Sequence, residues 1–294
     1  MLSFLFEQYG YYPKSFINNS FEIDNWVFKL IEIVEDSGYI DQIDNFIFVI
    51  RDAFPNNSPY IIKNRMGEKI SYYDGKGFVL ISILKSSVDI EQLNRFHVLL
   101  KEENKKVDLK KICLLWEKKM NFIENECLAL LKSDNASYEN NLKIVLFCLG
   151  LCQNSIQYLS DIVMDYDGFV NNLTITHKRL SSFNSLEMFN PFNFVIDHPL
   201  RDYIELYKND IIDFDTLIES LEYYQLDSKL ASVIIARLLY PSFVFDCLEE
   251  NYYSSNQNLK INYNIEKETL KIRKVYWYYK KKYQIRPILW LDNN

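Results

Sequence analysis

Apolar and polar positions change rhythm once along this chain. From residue 15 they alternate. SFINNSFEIDNWVFKLIEIV (15–34) breaks at Asn18-Asn19-Ser20 and again at Asp24-Asn25, which predicts three short antiparallel strands. YIDQIDNFIFVIRDAF (39–54) instead spaces Ile40, Ile43, Ile47 and Ile50 by three and four, a helical period that stops before Pro55. YIIKNRMGEKISYYDGKGFVLISIL (60–84) returns to strands, with turn signals at Met66-Gly67 and Asp74-Gly75. Beyond residue 84 the helical period dominates, over 90–103, 109–132, 140–163, 201–208, 215–224, 229–240 and 269–284. One stretch, 169–198, interrupts it with short apolar pieces and turns. The pattern predicts an α+β chain. A strand-rich lobe of about five strands and one helix (1–84) precedes a larger helical lobe (85–294). No Pro- or Gly-rich linker separates them, so they read as two lobes of one domain.

Composition narrows the function classes. Of 294 residues, 48% are hydrophobic, enough for a large core. The net charge of −7 disfavours a general nucleic-acid or anionic-membrane binder. Basic and aromatic residues interleave in KIRKVYWYYKKKYQIR (271–286). That segment reads as an amphipathic helix with Ile272, Val275, Tyr279 and Tyr283 inward and its lysines solvated. The longest apolar run, IVLFCLGLC (144–152), is short for a bilayer. Five scattered cysteines do not form a disulfide framework. Cys148 and Cys152 share a helix face without a nearby histidine, which suits core packing and a reducing cytoplasm. MLSFLFEQYG lacks the basic start of a signal peptide.

Candidate chemistry sits in HKRLSSFN (177–184) and VIDHP (195–199). A histidine, an asparagine and an aspartate ending an apolar run suggest phosphate and a divalent cation. Their order, with Lys29 in NWVFKL (25–30) before them, resembles protein-kinase-like and aminoglycoside-phosphotransferase-like proteins. HKRLSSFN aligns without gaps on the H-G-D-x-x-x-x-N loop of that superfamily. IEQLNRFHVLL (90–100) resembles its helix after the hinge, including a histidine, here His97. The resemblance implies a bilobal kinase-like fold, with ATP and magnesium as ligands. Lys29 would reach phosphate, and Asn184 and Asp197 would hold magnesium. The departures are equally specific. No G-x-G-x-x-G precedes Lys29. The acids available to pair with it are Asp41 and Asp44. The catalytic acid's position is Arg179, which cannot be a base. Arg179 is expected in the interlobe cleft, with Asp197 its first partner. Structural roles are open for each residue: Lys29 snorkelling from a strand, His177 holding the loop, Asn184 capping it, Asp197 pairing with Arg179 or Arg201. Arg201-Asp202 reads as a helix start.

Within the superfamily, FNPFNFVIDHPLRDYIELYK (189–208), LLYPSFVFDCLEENYY (238–253) and PILWL (287–291) resemble the spore-coat-associated kinase-like proteins of endospore-forming bacteria, of the CotS and YutH type. Members often lose catalytic residues. The resemblance implies a catalytically impaired protein that binds protein partners in the spore coat. One alternative is an active ATP-dependent phosphotransferase of the aminoglycoside or choline kinase type. The other is an unrelated helical interaction protein. Arg179 separates the first two, and the placement of Lys29 and Asp197 tests the third.

Overall fold

The computed structural model describes residues 1–33, 37–131, 137–254 and 259–292. Val34 and Lys132, which end two of the predicted segments, lie outside them. The chain runs α1 (Leu2–Tyr9), β1 (Ser20–Ile23), β2 (Trp26–Ile33), α2 (Ser37–Ala53), β3 (Tyr60–Ile62), β4 (Ser71–Tyr73), β5 (Lys76–Leu84) and α3 (Ile90–Leu99). It continues with β6 (Lys101–Glu102), β7 (Val107–Asp108), α4 (Leu109–Phe122), α5 (Tyr138–Asp165), β8 (Phe169–Val170), β9 (Leu173–His177), α6 (Ser185–Met188) and β10 (Phe194–Asp197). The helices α7 (Leu200–Lys208), α8 (Phe214–Glu222), α9 (Ser228–Leu239), α10 (Ser242–Ser254), α11 (Ile265–Lys282) and α12 (Leu289–Asp292) complete it. Two compact units emerge, Met1–Glu103 with Leu173–Asp202, and Asn104–Asn172 with Tyr203–Asn294.

The first unit is built on a five-stranded antiparallel sheet ordered β1-β2-β5-β3, with β4 also on β5. Turn chemistry sets its register. Tyr73 pairs with Lys76 across Asp74 and Gly75, both at positive φ (51° and 74°), as a two-residue hairpin turn requires. The segment before β1 is not a third strand: only Ile17 bridges Ser20, because Asn18 and Asn19 both take positive φ (50° and 58°) and turn the chain at once. The central strand β5 is buried on both faces from Gly77 to Ile83. One face packs Leu80 and Phe78 with Phe21, Phe28 and Leu30 against Phe4 and Leu5 of α1. The sequence reading missed α1, which ends at Gly10 in the left-handed conformation, with φ 79°. The predicted isoleucine stripe of α2 is buried; on the same helix Phe46 meets Phe194 of β10 edge to face. α3 is shorter than expected, since the chain leaves it at Leu100 to add β6 to a small sheet ordered β10-β9-β6.

The second unit is helical apart from the β7-β8 pair. Cys148 and Cys152 lie in its core with Ile144, Val244, Phe245 and Leu248, the packing role expected of them. All five cysteines are free thiols. α5 is 28 residues long and, by length and composition alone, could cross a membrane; here its apolar face forms that core. α10 was not anticipated. α11 buries Ile272, Val275, Tyr276 and Tyr279, while Tyr283 is half-buried. Its cations are paired more than solvated: Lys280 with Asp292, Lys282 with Glu222, and Lys267 and Lys271 with Asp210.

Candidate functional site

The predicted site residues all fall in the first unit. β9 and β10 run antiparallel, His177 opposite Phe194 and Thr174 opposite Asp197. The block from Lys178 to Asn193 is therefore one connection between two strands. His177 lies three positions along β9 from Thr174, about 10 Å. Arg201, in the first turn of α7, spans that interval. Its Nε donates to the His177 carbonyl (2.8 Å), one terminal nitrogen to the Lys178 carbonyl (3.0 Å) and the other to Asp197 Oδ2 (3.0 Å). Of the two arginines expected beside Asp197, Arg201 is thus paired with it. The other Asp197 oxygen accepts the His198 N–H at 2.7 Å.

His177 is fully buried. Its backbone N–H donates to Asp202 Oδ1 (2.9 Å), its Nδ1 to Asp202 Oδ2 (2.7 Å) and its Nε2 to the Met188 carbonyl (2.9 Å). Both ring nitrogens face acceptors, so the ring is an imidazolium. Burial alone would lower its pKa; the Asp202 charge, its hydrogen bond and the Met188 carbonyl reverse this and raise it. His97 Nε2 donates to the same Asp202 Oδ2 at 2.9 Å. Its pKa is lowered, burial first, with the His177 charge adding to it against Asp202. Asp202 is itself fully buried. Burial pushes its carboxyl up, but the two histidines hold it well below the usual carboxylate range. Phe96 and Phe194 pack on the His177 ring, with centroids at 5.2 and 5.4 Å. This cluster anchors the start of the loop, the structural role open to His177.

Arg179 is half-buried. Its backbone is stapled to Asn193, whose Nδ2 donates to the Arg179 carbonyl (2.6 Å) and whose Oδ1 accepts the Arg179 N–H (3.2 Å). Its guanidinium donates to the Lys178 carbonyl at 2.8 Å. Asn184 caps α6, with Oδ1 accepting the Glu187 N–H at 2.8 Å. Its Nδ2 donates to Glu187 Oε1 (3.2 Å) and to the Ser182 hydroxyl. The Glu187 carboxylate also accepts the N–H groups of Ser181 (2.7 Å) and Ser182 (3.1 Å) and both serine hydroxyls. Main chain joins the foot of this loop to the segment after β5: Ser87 bridges Asn184, and the Ser86 N–H donates to Ser185 Oγ at 3.3 Å.

Lys29 lies opposite Ile81 on β5. Strand alternation sets it on the sheet face away from the α1 cluster. It is half-buried and, among the described residues, has no hydrogen-bond or ion-pair partner. Neither candidate acid of α2 serves it: Asp44 pairs with Lys69, and Asp41 is exposed. The donors expected for magnesium, Asn184 and Asp197, are bonded to the chain itself, and among the described residues no group of three His, Cys, Asp or Glu side chains could hold a metal ion. The sequence reading missed Glu187, Asn193 and the central place of Asp202. Only Glu187 carried a local signal, since Asn184-x-x-Glu187 has the spacing of a capping box.

Residues 3–279 match the family described as "Spore coat putative kinase YutH". The chain belongs to this spore coat kinase-like family. No curated protein matches it. Among solved structures, a spectinomycin phosphotransferase in complex with ADP and spectinomycin superposes with a TM-score of 0.52 at 11% identity, covering 93% of this chain and 92% of that one. An aminoglycoside phosphotransferase from Alicyclobacillus acidocaldarius subsp. acidocaldarius DSM 446 gives 0.47 at 9% identity, covering 92% and 90%. The likeness to the first carries the fold. With its N-terminal antiparallel sheet and largely helical remainder, this YutH-family chain has the bilobal kinase-like fold.

Proposed function

We propose that this protein is a catalytically impaired kinase that acts by binding protein partners in the spore coat. The observation that carries the reading is the use of the loop's side chains. Asn184 Oδ1 is spent on capping α6, and Asp197 is paired with Arg201 and the His198 N–H. Arg179 stands where the superfamily has the acid that accepts the substrate proton. Losing a general base costs about 10²–10⁴ in rate, roughly 3–5 kcal/mol. The ion pair between the strand lysine and a helix acid, which phosphoryl transfer by protein kinases requires, has no counterpart at Lys29 among the described residues. The Lys29 amine, without a partner among the described residues, favours one retained property, an interaction with phosphate that owes nothing to magnesium.

The test is a melting series with ATP, with and without magnesium, beside a phosphoryl-transfer assay. Ligand at one hundred times its dissociation constant stabilises by about 2.7 kcal/mol, which a thermal shift resolves. The expected result is no turnover, and any ATP shift unchanged by magnesium. Magnesium-dependent stabilisation with turnover that vanishes in Asp197→Ala would identify an active phosphotransferase instead.

A further inference from the structure

The first part of α4 turns an apolar and basic face to solvent. Leu114 and Leu115 are 56% and 63% exposed, on a helix whose opposite side buries Leu109 and Cys113. Phe169, 42% exposed, lies beside the first turn: it pairs with Asp108 across β7 and β8, and the Leu109 N–H donates to the Gly168 carbonyl at 2.9 Å. Single exposed apolar side chains are ordinary on a protein surface. Two successive leucines, at positions where solvation alone would select polar residues, mark a contact surface.

Lysines frame the pair. Lys110, Lys111 and Lys118 are exposed and lie three or four positions from Leu114, so they share its side of the helix. Among the described residues none of the three has an ion-pair partner. One acid of this face, Glu117, is exposed with them. The neighbouring carboxylates are engaged elsewhere: Asp108 accepts the Lys110 N–H at 2.9 Å as the cap of α4, and Asp167 is paired with Lys229 at 2.7 Å. Glu124 and Glu126 follow only after α4 ends at Phe122. With three lysines against one glutamate the face is cationic, on a chain of net charge −7.

We propose that this face of α4 docks the protein on an anionic lipid surface. Leu114 and Leu115 enter between the headgroups, and Lys110, Lys111 and Lys118 meet the phosphates around them. A lysine suits that place, because its stem lies along apolar surface while its amine reaches outward. The shape selects a lipid layer over a partner peptide. A peptide's apolar side chains are held in a groove, whereas these leucines protrude from a convex helix into whatever covers them. The cations point the same way. All three are lysines, point charges that answer a diffuse anionic field, and none is the arginine fork that pairs best with single carboxylates. The remaining chain, acidic in sum, is repelled by the same surface, so attraction through this face alone fixes the orientation.

The experiment sediments the full-length protein with vesicles of equal parts phosphatidylcholine and phosphatidylglycerol, and with vesicles of phosphatidylcholine alone. Binding is expected to the first and not to the second, and should weaken as salt rises. Lys111→Glu should weaken it about tenfold or more, since the reversal changes the charge by two and each cation near an anionic leaflet contributes about fivefold. Leu114→Ser should weaken it about tenfold by removing an inserted apolar side chain. Lys281→Glu, the same charge change at an exposed lysine of α11, should leave it unchanged. Unchanged melting of the variants keeps folding out of the comparison. Four results would overturn the proposal: no binding to either vesicle, equal binding to phosphatidylcholine alone, equal loss in Lys281→Glu, or no loss in Leu114→Ser. Release from the vesicles by polyglutamate at equal charge would transfer the face to an acidic protein and overturn it too.

Discussion

Asp202→Asn isolates what holds the loop in place. The substitution keeps shape and removes charge. In the wild type the carboxylate accepts three hydrogen bonds, two of them from histidine rings, with no access to water. The amide can accept on one side only, and its NH₂ must face a donor. Breaking a buried pair by neutralising one partner costs about 3–5 kcal/mol. At about 2–4 °C per kcal/mol, the melting temperature should fall by about 6–20 °C. pH gives a second readout that a simple packing defect would not move. The His177 pKa is raised from 6.5 in the folded state. Its contribution is full below 6.5 and is lost as pH rises through the folded pKa, because the unfolded chain releases its proton first. One proton sets a limiting slope of about 1.4 kcal/mol per pH unit. Urea unfolding across pH 6 to 9 should show this decline in the wild type and a flatter profile in Asp202→Asn, whose imidazolium has lost its counter-charge. A variant within about 1 kcal/mol of wild type, or one with an unchanged pH profile, would refute the imidazolium–carboxylate assignment.

His97 has the opposite sign. Its pKa is lowered from 6.5, so stability should fall as pH drops below 6.5, where only the unfolded chain takes up the proton; in His97→Gln that acid-side loss should shrink, measured by urea unfolding between pH 7 and 5. Leu5→Ala tests the unanticipated helix α1: Leu5 is fully buried in the sheet's aromatic cluster, and the change should cost about 2–5 kcal/mol, read as a drop in melting temperature.

The elements legible in the sequence were those whose cause is local. The isoleucine spacing of α2 and the Asp74-Gly75 turn need only neighbouring residues to act. α1 escaped because eight residues hold too few turns for a period to show, although Gly10 at its end was a usable stop signal. The third strand failed for a local reason too: two adjacent asparagines at positive φ leave no length for pairing. Distance hid the rest. Asp202 reads as an ordinary first-turn acid until His97, 105 residues earlier, is brought onto it. The lysines of α11 look solvated until Asp210, 57 residues before Lys267, takes two of them.

The same contrast explains how the proposed loss of chemistry would leave the form of the loop intact. Its shape depends on His177, Asp202, Asn193 and Arg201, which bond backbone groups. Its chemistry would depend on position 179, whose backbone is tied to Asn193 whatever the side chain. Exchanging an acid for Arg179 therefore leaves the scaffold bonds in place, and Asn184 remains useful as the cap of α6. A fold held by buried backbone-directed bonds can lose its reaction at one position and persist as a binding surface. On this argument, Arg179→Asp alone would not restore transfer, because Asn184 and Asp197 would still be committed to Glu187, His198 and Arg201.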